Sequence, residues 1–134
     1  MDFDAEIKEK KAWREVKQSQ KFLNAFRGLR VFWATTKPLY LAVYIVATIV
    51  VVVCGFYFQV AGWQWVALVF SIGLVVISET FNTSIEIDID LTSPEYHPYA
   101  RDTKDVAAAA ALLSVFTAII VGLIVFLPYF VKLL

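Results

Sequence analysis

The sequence predicts an all-α integral membrane protein, and three observations support this prediction. Hydrophobic residues make up 60% of the 134 residues, compared with about 45–50% in soluble domains. The excess is concentrated in three segments, each about as long as the roughly 20 residues that a helix needs to cross a bilayer. A basic, amphipathic segment precedes them. We therefore predict a cytoplasmic N-terminal segment with a surface helix in residues 1–37 and a domain of three transmembrane helices in residues 38–134.

The N-terminal segment is predicted to be helical over residues 5–34, because apolar residues recur there at helical spacing among basic ones. Nine of the twelve Lys and Arg residues lie between Lys8 and Lys37. A basic amphipathic helix before a span is typical of a helix on an anionic lipid surface, and the alternative is a solvated helix packed on its own protein. No zinc-finger spacing or aromatic-rich RNA motif occurs, so nucleic acid is not an expected partner. Cys54 is the single cysteine, which excludes a disulfide framework within the chain.

The first span is predicted to run from Leu39 to about Trp63. Pro38 disfavours helix at the residue before it and can itself start the next helix. The β-branched run in this segment would indicate a strand in a soluble protein, but its length favours a membrane helix. A turn is expected around Gly62, flanked by Trp63 and Trp65 as an aromatic belt.

The second span is predicted to start near Trp63 and to remain uncharged up to Glu79. The segment "LTSPEYHPYARD" is predicted to be a loop, because two prolines interrupt it. Asp102 or Thr103 is expected to cap the third helix, with Asp105 near its start, where an acid suits the helix dipole. The run of five alanines in that helix favours close packing against a neighbour.

The distribution of basic residues predicts the orientation of the spans. Cytoplasmic segments carry the excess of Lys and Arg, so the N-terminus is predicted to be cytoplasmic. The end of the second span and the loop with Arg101 and Lys104 then face the cytoplasm, whereas Gly62 and Lys132 face outward. The carboxylates at the end of the second span are therefore expected on the same side of the membrane as ATP.

The stretch "SETFNTSIEIDID" carries four carboxylates at the end of a hydrophobic helix. At about 100° per residue, three of them and one Asn fall on a face about 80° wide, and Asp88 lies on the opposite side. The residues that share the face are Glu79, Asn82, Glu86 and Asp90. An ionisable residue as deep in a span as Glu79 is a functional candidate by default.

These residue types suit phosphoryl transfer. Glu79 suits a general base toward a hydroxyl, and Glu86 suits Mg²⁺, which takes one or two protein carboxylates beside phosphate and water oxygens. Asn82 can orient Glu79 or donate to a phosphate, and Lys104 can offset phosphate charge. A polar seam between helices and a proton pathway are the alternatives. The sequence has no P-loop motif.

The motifs that follow the second span resemble those of a known family. The pattern "ETFNTSIEIDID" from Glu79, followed by "SPEYHP" and "KDVAAAAA", closely resembles the small prokaryotic diacylglycerol kinase family, which includes undecaprenol kinases. The spacing matches without a gap from Glu79 to Asp105, and "FRGLRVFW" resembles the surface-helix segment of the family. The resemblance covers Phe22 to Pro128, which is most of the chain.

This resemblance implies a homotrimer whose active sites are shared between neighbouring subunits. It implies a multi-pass protein of the bacterial inner membrane with the N-terminus and the active site in the cytoplasm. The implied reaction is transfer of the γ-phosphate of ATP to the hydroxyl of a membrane lipid, with Mg²⁺ as cofactor and ATP as co-substrate. The segments "SPEYHP" and "KDVAA" are slightly more similar to undecaprenol kinases than to diacylglycerol kinases.

The resemblance also implies roles for individual residues. By match, Glu79 would be the catalytic base, Asn82 a supporting polar group and Glu86 a metal ligand. A hydrogen-bonding role within the loop is the alternative for the histidine of "EYHP". The residues that match the nucleotide side of the family's site are Glu95, His97, Lys104 and Asp105.

The chain departs from the family pattern just before the first span. Family members carry a Glu there as a second metal carboxylate, whereas this chain has Thr35 and Thr36 and no acid between Glu15 and Glu79. A hydroxyl can contact Mg²⁺ but does not balance its charge. The departure predicts weaker metal binding, a substitute acid such as Asp90, or a lost activity. A non-catalytic member that binds lipid or nucleotide is therefore the alternative to a lipid kinase, and an ion or proton pathway is a third hypothesis.

Overall fold

The structure is a computed structural model that describes residues 20–133 together with residues 7, 8 and 11. Of the helix predicted over residues 5–34, residues 5, 6, 9, 10 and 12–19 lie outside the described residues. The chain divides between Thr35 and Thr36 into two units, which are described separately. Residues 7, 8 and 11 are helical. The helices of residues 20–133 are α1 (Lys21–Thr35), α2 (Pro38–Tyr57), α3 (Gly62–Thr92) and α4 (Pro98–Leu133).

The helix of the first unit, α1, exposes most of its apolar side chains. Arg27 and Arg30 are exposed as well, and Phe32 is the buried residue of this helix. Because apolar and basic side chains of α1 are exposed alike, the amphipathic character of this helix and its position on a membrane stay predictions. The exposed apolar residues that recur every three or four positions are Phe22, Phe26, Leu29 and Trp33.

The second unit begins with α2, which is 20 residues long and ends at Tyr57, so the predicted end at about Trp63 is wrong. Gln59 adopts a φ of 51°, a conformation that a helix cannot continue through. The amide N–H of the next residue donates to the carbonyl oxygen of Gly55 at 3.1 Å, which satisfies one of the last helical carbonyls. The predicted turn around Gly62 therefore lies over residues 58–61, and Gly62 is the first residue of α3.

The start of α4 also differs from the prediction. Asp102 and Thr103 do not cap this helix, because α4 begins at Pro98 and the connecting loop is confined to residues 93–97. A proline in the first turn of a helix lacks an N–H that would have no partner there, so it starts the helix instead of breaking it. Asp105 consequently lies about two turns inside α4, beyond the first turn in which an acid suits the dipole.

The helices α2, α3 and α4 are long and apolar enough to cross a membrane. They have 20, 31 and 36 residues, compared with the roughly 20 that a span needs. Large apolar side chains such as Phe70, Leu113 and Ile124 are 65–76% exposed in the single chain. Faces of this kind require lipid or another protein surface, because water would solvate them poorly.

The helices α3 and α4 pack closely, whereas α2 contacts α3 at fewer points. Ala107, Ala111 and Ser114 of α4 are only 4–7% exposed. Ala107 and Ala111 belong to the alanine run, whereas the three alanines between them are exposed in the single chain, so the close packing of the whole run stays a prediction. The main apolar cluster lies near the turn between α2 and α3 and contains Val60, Leu68, Val125 and Phe126.

A polar network and a close helix contact hold this turn. Gln64 is only 8% exposed. Its Oε1 atom accepts hydrogen bonds from the amide N–H of Ala61 at 2.8 Å and from the Tyr129 hydroxyl at 2.7 Å. The next residue of α3, Trp65, lies so close to Gly55 of α2 that a Cβ on Gly55 would be 2.5 Å from its Cη2 atom. These contacts set the register in which α2 meets α3.

Candidate active site

The four polar residues that share one face of α3, here called the acidic stripe, extend across the predicted edge of the membrane. The stripe consists of Glu79, Asn82, Glu86 and Asp90. Glu79 lies about 25 Å along the helix axis from Gly62, at about 1.5 Å per residue. A hydrocarbon layer about 30 Å thick that begins at Gly62 would end near Asn82. With the layer placed in this way, Glu79 would lie within it, and Glu86 and Asp90 would lie beyond its edge.

Glu79 is half-buried, and its Oε1 atom accepts a hydrogen bond from the hydroxyl of Tyr44 on α2. No motif in the sequence marks Tyr44 as a site residue. The available signal is a hydroxyl-bearing ring within the aliphatic run "LAVYIVATIV" of a neighbouring span. A polar group in an apolar region is costly unless it is hydrogen-bonded, so this contact provides a partner for the Tyr44 hydroxyl and for one oxygen of Glu79.

Asn82 and Glu86 contact each other one turn further along α3. The Nδ2 atom of Asn82 donates to Oε1 of Glu86 at 3.3 Å, so the structure brings Asn82 to Glu86 and not to Glu79. The Oδ1 atom of Asn82 is buried, and none of the residues that the structure describes provides a hydrogen-bond partner for it. The carboxylate of Glu86 and the amide of Asn82 therefore form one hydrogen-bonded pair, and the amide oxygen keeps its capacity to accept.

Asp90 connects the far end of the stripe to α4. The Nζ atom of Lys104 lies 2.9 Å from Oδ1 of Asp90, with the two side chains 37% and 68% exposed. An ion pair this exposed contributes only about 0–1 kcal/mol to stability. Asp90, which the sequence offers as a substitute metal ligand, is therefore already paired with a cation. The same contact places Lys104 beside the stripe.

The other residues predicted on the nucleotide side lie near the start of α4. Glu95 and His97 are exposed in the loop before this helix, and the His97 ring stacks on that of Tyr99 with centroids 5.6 Å apart. The Asp105 carboxylate is exposed and lies 4.0 Å from the guanidinium of Arg101. The structure thus brings Lys104 to the stripe, whereas His97 and Asp105 contact neighbours along their own segment.

The donor atoms of the stripe limit the kind of metal site that this chain can form. Among residues 7, 8, 11 and 20–133, no group of three or more His, Cys, Asp and Glu side chains could hold a metal ion. Glu86 and the buried Oδ1 of Asn82 are hard oxygen donors. Mg²⁺ bound to phosphates takes one or two carboxylates and completes its shell with phosphate and water oxygens. The residues present therefore fit Mg²⁺ that arrives with a phosphate ligand.

An apolar cavity of about 370 Å³ lies between α2, α3 and α4. Its lining includes Tyr44 and Ala47 of α2, Val75 of α3 and Gly122 of α4. Because the Tyr44 hydroxyl bonds to Glu79, the cavity wall and the acidic stripe meet at this residue. The apolar lining suits a hydrocarbon chain and not a nucleotide.

Comparisons with known proteins show the family to which this chain belongs. A model of the family described as prokaryotic diacylglycerol kinase matches residues 23–126. Undecaprenol kinase of Bacillus subtilis (strain 168) is 32% identical over 108 residues, which cover 80% of this chain and 85% of that protein. Diacylglycerol kinase of Helicobacter pylori (strain J99) is 33% identical over 104 residues, which cover 77% of this chain and 80% of that protein. Diacylglycerol kinase of Escherichia coli (strain K12) is 30% identical over 106 residues, which cover 79% of this chain and 85% of that protein. The resemblance of the motifs is thus confirmed, and the chain belongs to the prokaryotic diacylglycerol kinase family.

Proposed function

We propose that this protein is a lipid kinase that transfers the γ-phosphate of ATP to the hydroxyl of a membrane lipid, with Glu79 as general base. The observation that carries the proposal is a half-buried acid at the polar end of a membrane helix in a chain of this family. Its relatives are named undecaprenol kinase and diacylglycerol kinase. An acid at this depth is costly, so its presence favours a functional role.

The proposed reaction uses the carboxylate of Glu79 as the proton acceptor. A lipid hydroxyl that hydrogen-bonds Glu79 gives its proton to the carboxylate while its oxygen forms a bond to the γ-phosphorus of ATP. The bond between that phosphorus and the bridging oxygen of ADP breaks. The products are ADP and a lipid phosphate, and Glu79 then releases its proton to water.

In this proposal, the negative charge of the phosphates is neutralised near Asn82, Glu86 and Lys104. When bound, Mg²⁺ neutralises charge on the phosphates, and Glu86 and the Oδ1 of Asn82 would hold it. Lys104 would exchange its contact with Asp90 for a phosphate oxygen. Further nucleotide contacts are proposed for Glu95, His97 and Asp105.

For the lipid substrate we propose undecaprenol first and diacylglycerol second. The identities of 32% and 33% to relatives of each kind do not separate the two, and the segments "SPEYHP" and "KDVAA" favour undecaprenol. Both lipids carry one primary hydroxyl on a long apolar body. The apolar cavity beside Tyr44 supports a substrate of this class.

The proposed setting is the bacterial inner membrane, with the N-terminus and the acidic stripe in the cytoplasm and α1 on the cytoplasmic membrane surface. The excess of basic residues toward that side supports this orientation. The proposed assembly is a homotrimer with active sites shared between subunits. Support for it comes from the exposed apolar faces of the spans and from the small number of metal donors that one stripe offers.

The test is phosphorylation by the purified chain in nanodiscs with radiolabelled ATP and Mg²⁺. Undecaprenol, diacylglycerol and ceramide are offered separately. Label on one lipid that is lost in Glu79→Gln and retained in Asp88→Asn supports the proposal and identifies the substrate. Asp88 provides the matched control, because it is an exposed carboxylate on the opposite side of the same helix.

No label on any of the three lipids, at high Mg²⁺ and also with Mn²⁺, would refute the kinase proposal. Binding of ATP or lipid without transfer would then support the non-catalytic alternative, which the neutral Thr36 favours. Proton or ion flux in liposomes that is indifferent to ATP would support the pathway hypothesis.

A further inference from the structure

We propose that Tyr44 is a positioning residue for the Glu79 carboxylate. The inference rests on the proposed function, in which Glu79 takes the lipid proton. The Tyr44 hydroxyl donates to Oε1 of Glu79 across the interface between α2 and α3. The placement of the carboxylate therefore depends on two spans and not on α3 alone.

A contact from a neighbouring helix is needed to fix the orientation of the Glu79 carboxylate, because a glutamate side chain has several rotatable bonds. The amide of Asn82 bonds to Glu86, so the neighbouring polar group of the stripe holds a different carboxylate. The Tyr44 ring is rigid and half-buried, and its hydroxyl occupies Oε1 of Glu79. This leaves Oε2 to accept the proton of the lipid hydroxyl, in an orientation that the supporting residue restricts.

The ring of Tyr44 adds a second reason to assign it this role. It lines the apolar cavity while its hydroxyl contacts the stripe. Tyr44 thus lies where the hydrocarbon body of a lipid would give way to its hydroxyl group. The phenol proton stays on Tyr44 throughout the reaction, because a protonated Glu79 retains a carbonyl oxygen that accepts the same hydrogen bond.

The contact between Gly55 and Trp65, at the other end of the interface between α2 and α3, keeps Tyr44 in register with Glu79. At about 100° per residue, Tyr44 and Gly55 differ by about 20° around α2, and Trp65 and Glu79 differ by about 40° around α3. The contact between Gly55 and Trp65 and the hydrogen bond between Tyr44 and Glu79 are therefore the two ends of one helix interface.

The kinetic test is Tyr44→Phe, which removes the hydroxyl and keeps the ring in the cavity wall. We expect the kcat of lipid phosphorylation to fall about tenfold to hundredfold, because a misplaced catalytic group slows the reaction by this order. The KM for ATP should stay within about twofold. Tyr40→Phe is the matched control, because it removes a hydroxyl one turn earlier on α2 from a residue that is 50% exposed, and it should keep the parent kcat.

A second test reads the hydrogen bond without requiring activity. Melting midpoints are measured for Tyr44→Phe, Glu79→Leu and the double variant. The shifts of the two single variants should not add, because each substitution removes the same hydrogen bond. Additive shifts would overturn the hydrogen bond, and a parent kcat in Tyr44→Phe would overturn the positioning role.

The two tests also separate this inference from the proposed function. A parent chain that phosphorylates no lipid would overturn the proposed function and the kinetic role of Tyr44 together. The unfolding measurements would still decide whether Tyr44 holds Glu79. An active parent with an unimpaired Tyr44→Phe variant would overturn the positioning role alone.

Discussion

Gly55→Ala should loosen the interface between α2 and α3 at the end opposite the candidate active site. A Cβ on Gly55 would lie 2.5 Å from Cη2 and 2.7 Å from Cζ2 of Trp65, whereas ordinary contact begins at 3.4 Å. The Trp65 ring must therefore move about 0.9 Å away from residue 55, or α2 and α3 must move apart by that distance, to restore ordinary contact. The ring is held in place, because it contacts Phe56 with centroids 5.0 Å apart and packs against the main apolar cluster.

The expected magnitude of this change follows from two opposing terms. Overpacking costs about 1–3 kcal/mol, and replacing Gly by Ala in a helix recovers up to about 1 kcal/mol. The net loss of about 0–2 kcal/mol, with a middle value of about 1 kcal/mol, should lower the melting midpoint by about 4 °C for a chain of this length. Because Gly55 and Tyr44 share a face of α2, the displacement should also weaken the contact with Glu79 and reduce the kcat of lipid phosphorylation.

The assay is thermal unfolding in detergent, followed by tryptophan fluorescence. Gly73→Ala is the matched control, because a Cβ on Gly73 meets no atom of the described residues within 4 Å, and it should keep or raise the midpoint. A midpoint in Gly55→Ala that equals or exceeds the parent value would refute the reasoning, since it would mean that Trp65 yields at no cost.

Three further perturbations test other contacts of the described residues. Gln64→Leu should lower the melting midpoint more than Tyr129→Phe, because it removes the acceptor of both hydrogen bonds, whereas Tyr129→Phe removes one donor. Equal shifts would contradict the network. Lys104→Met should lower the kcat of lipid phosphorylation about tenfold or raise the KM for ATP, and it should change the melting midpoint little. Lys132→Met, at the other end of α4, is the control and should keep both kinetic constants. Thr36→Glu should lower the Mg²⁺ concentration that gives half-maximal rate, and an unchanged concentration would show that the charge of the metal is balanced elsewhere.

The number and approximate place of the spans could be predicted from the sequence, because hydrophobic length is a property of composition alone. Their ends could not be predicted as well. α2 ends where Gln59 takes a left-handed conformation, and a non-glycine residue gives little sign of this in a sequence. α4 begins at Pro98, because a proline that interrupts one helix can equally start the next.

The membrane class of this protein could be predicted from the length of its apolar runs, and the face of α3 that carries Glu79 could be predicted from residue spacing along one helix. The side chains of other helices that meet this face depend on how the helices pack. The hydroxyl of Tyr44 reaches Glu79, and Lys104 reaches Asp90. Such contacts depend on helix register, which the packing of Gly55 against Trp65 helps to set, and no local pattern in either helix encodes a distance between the two.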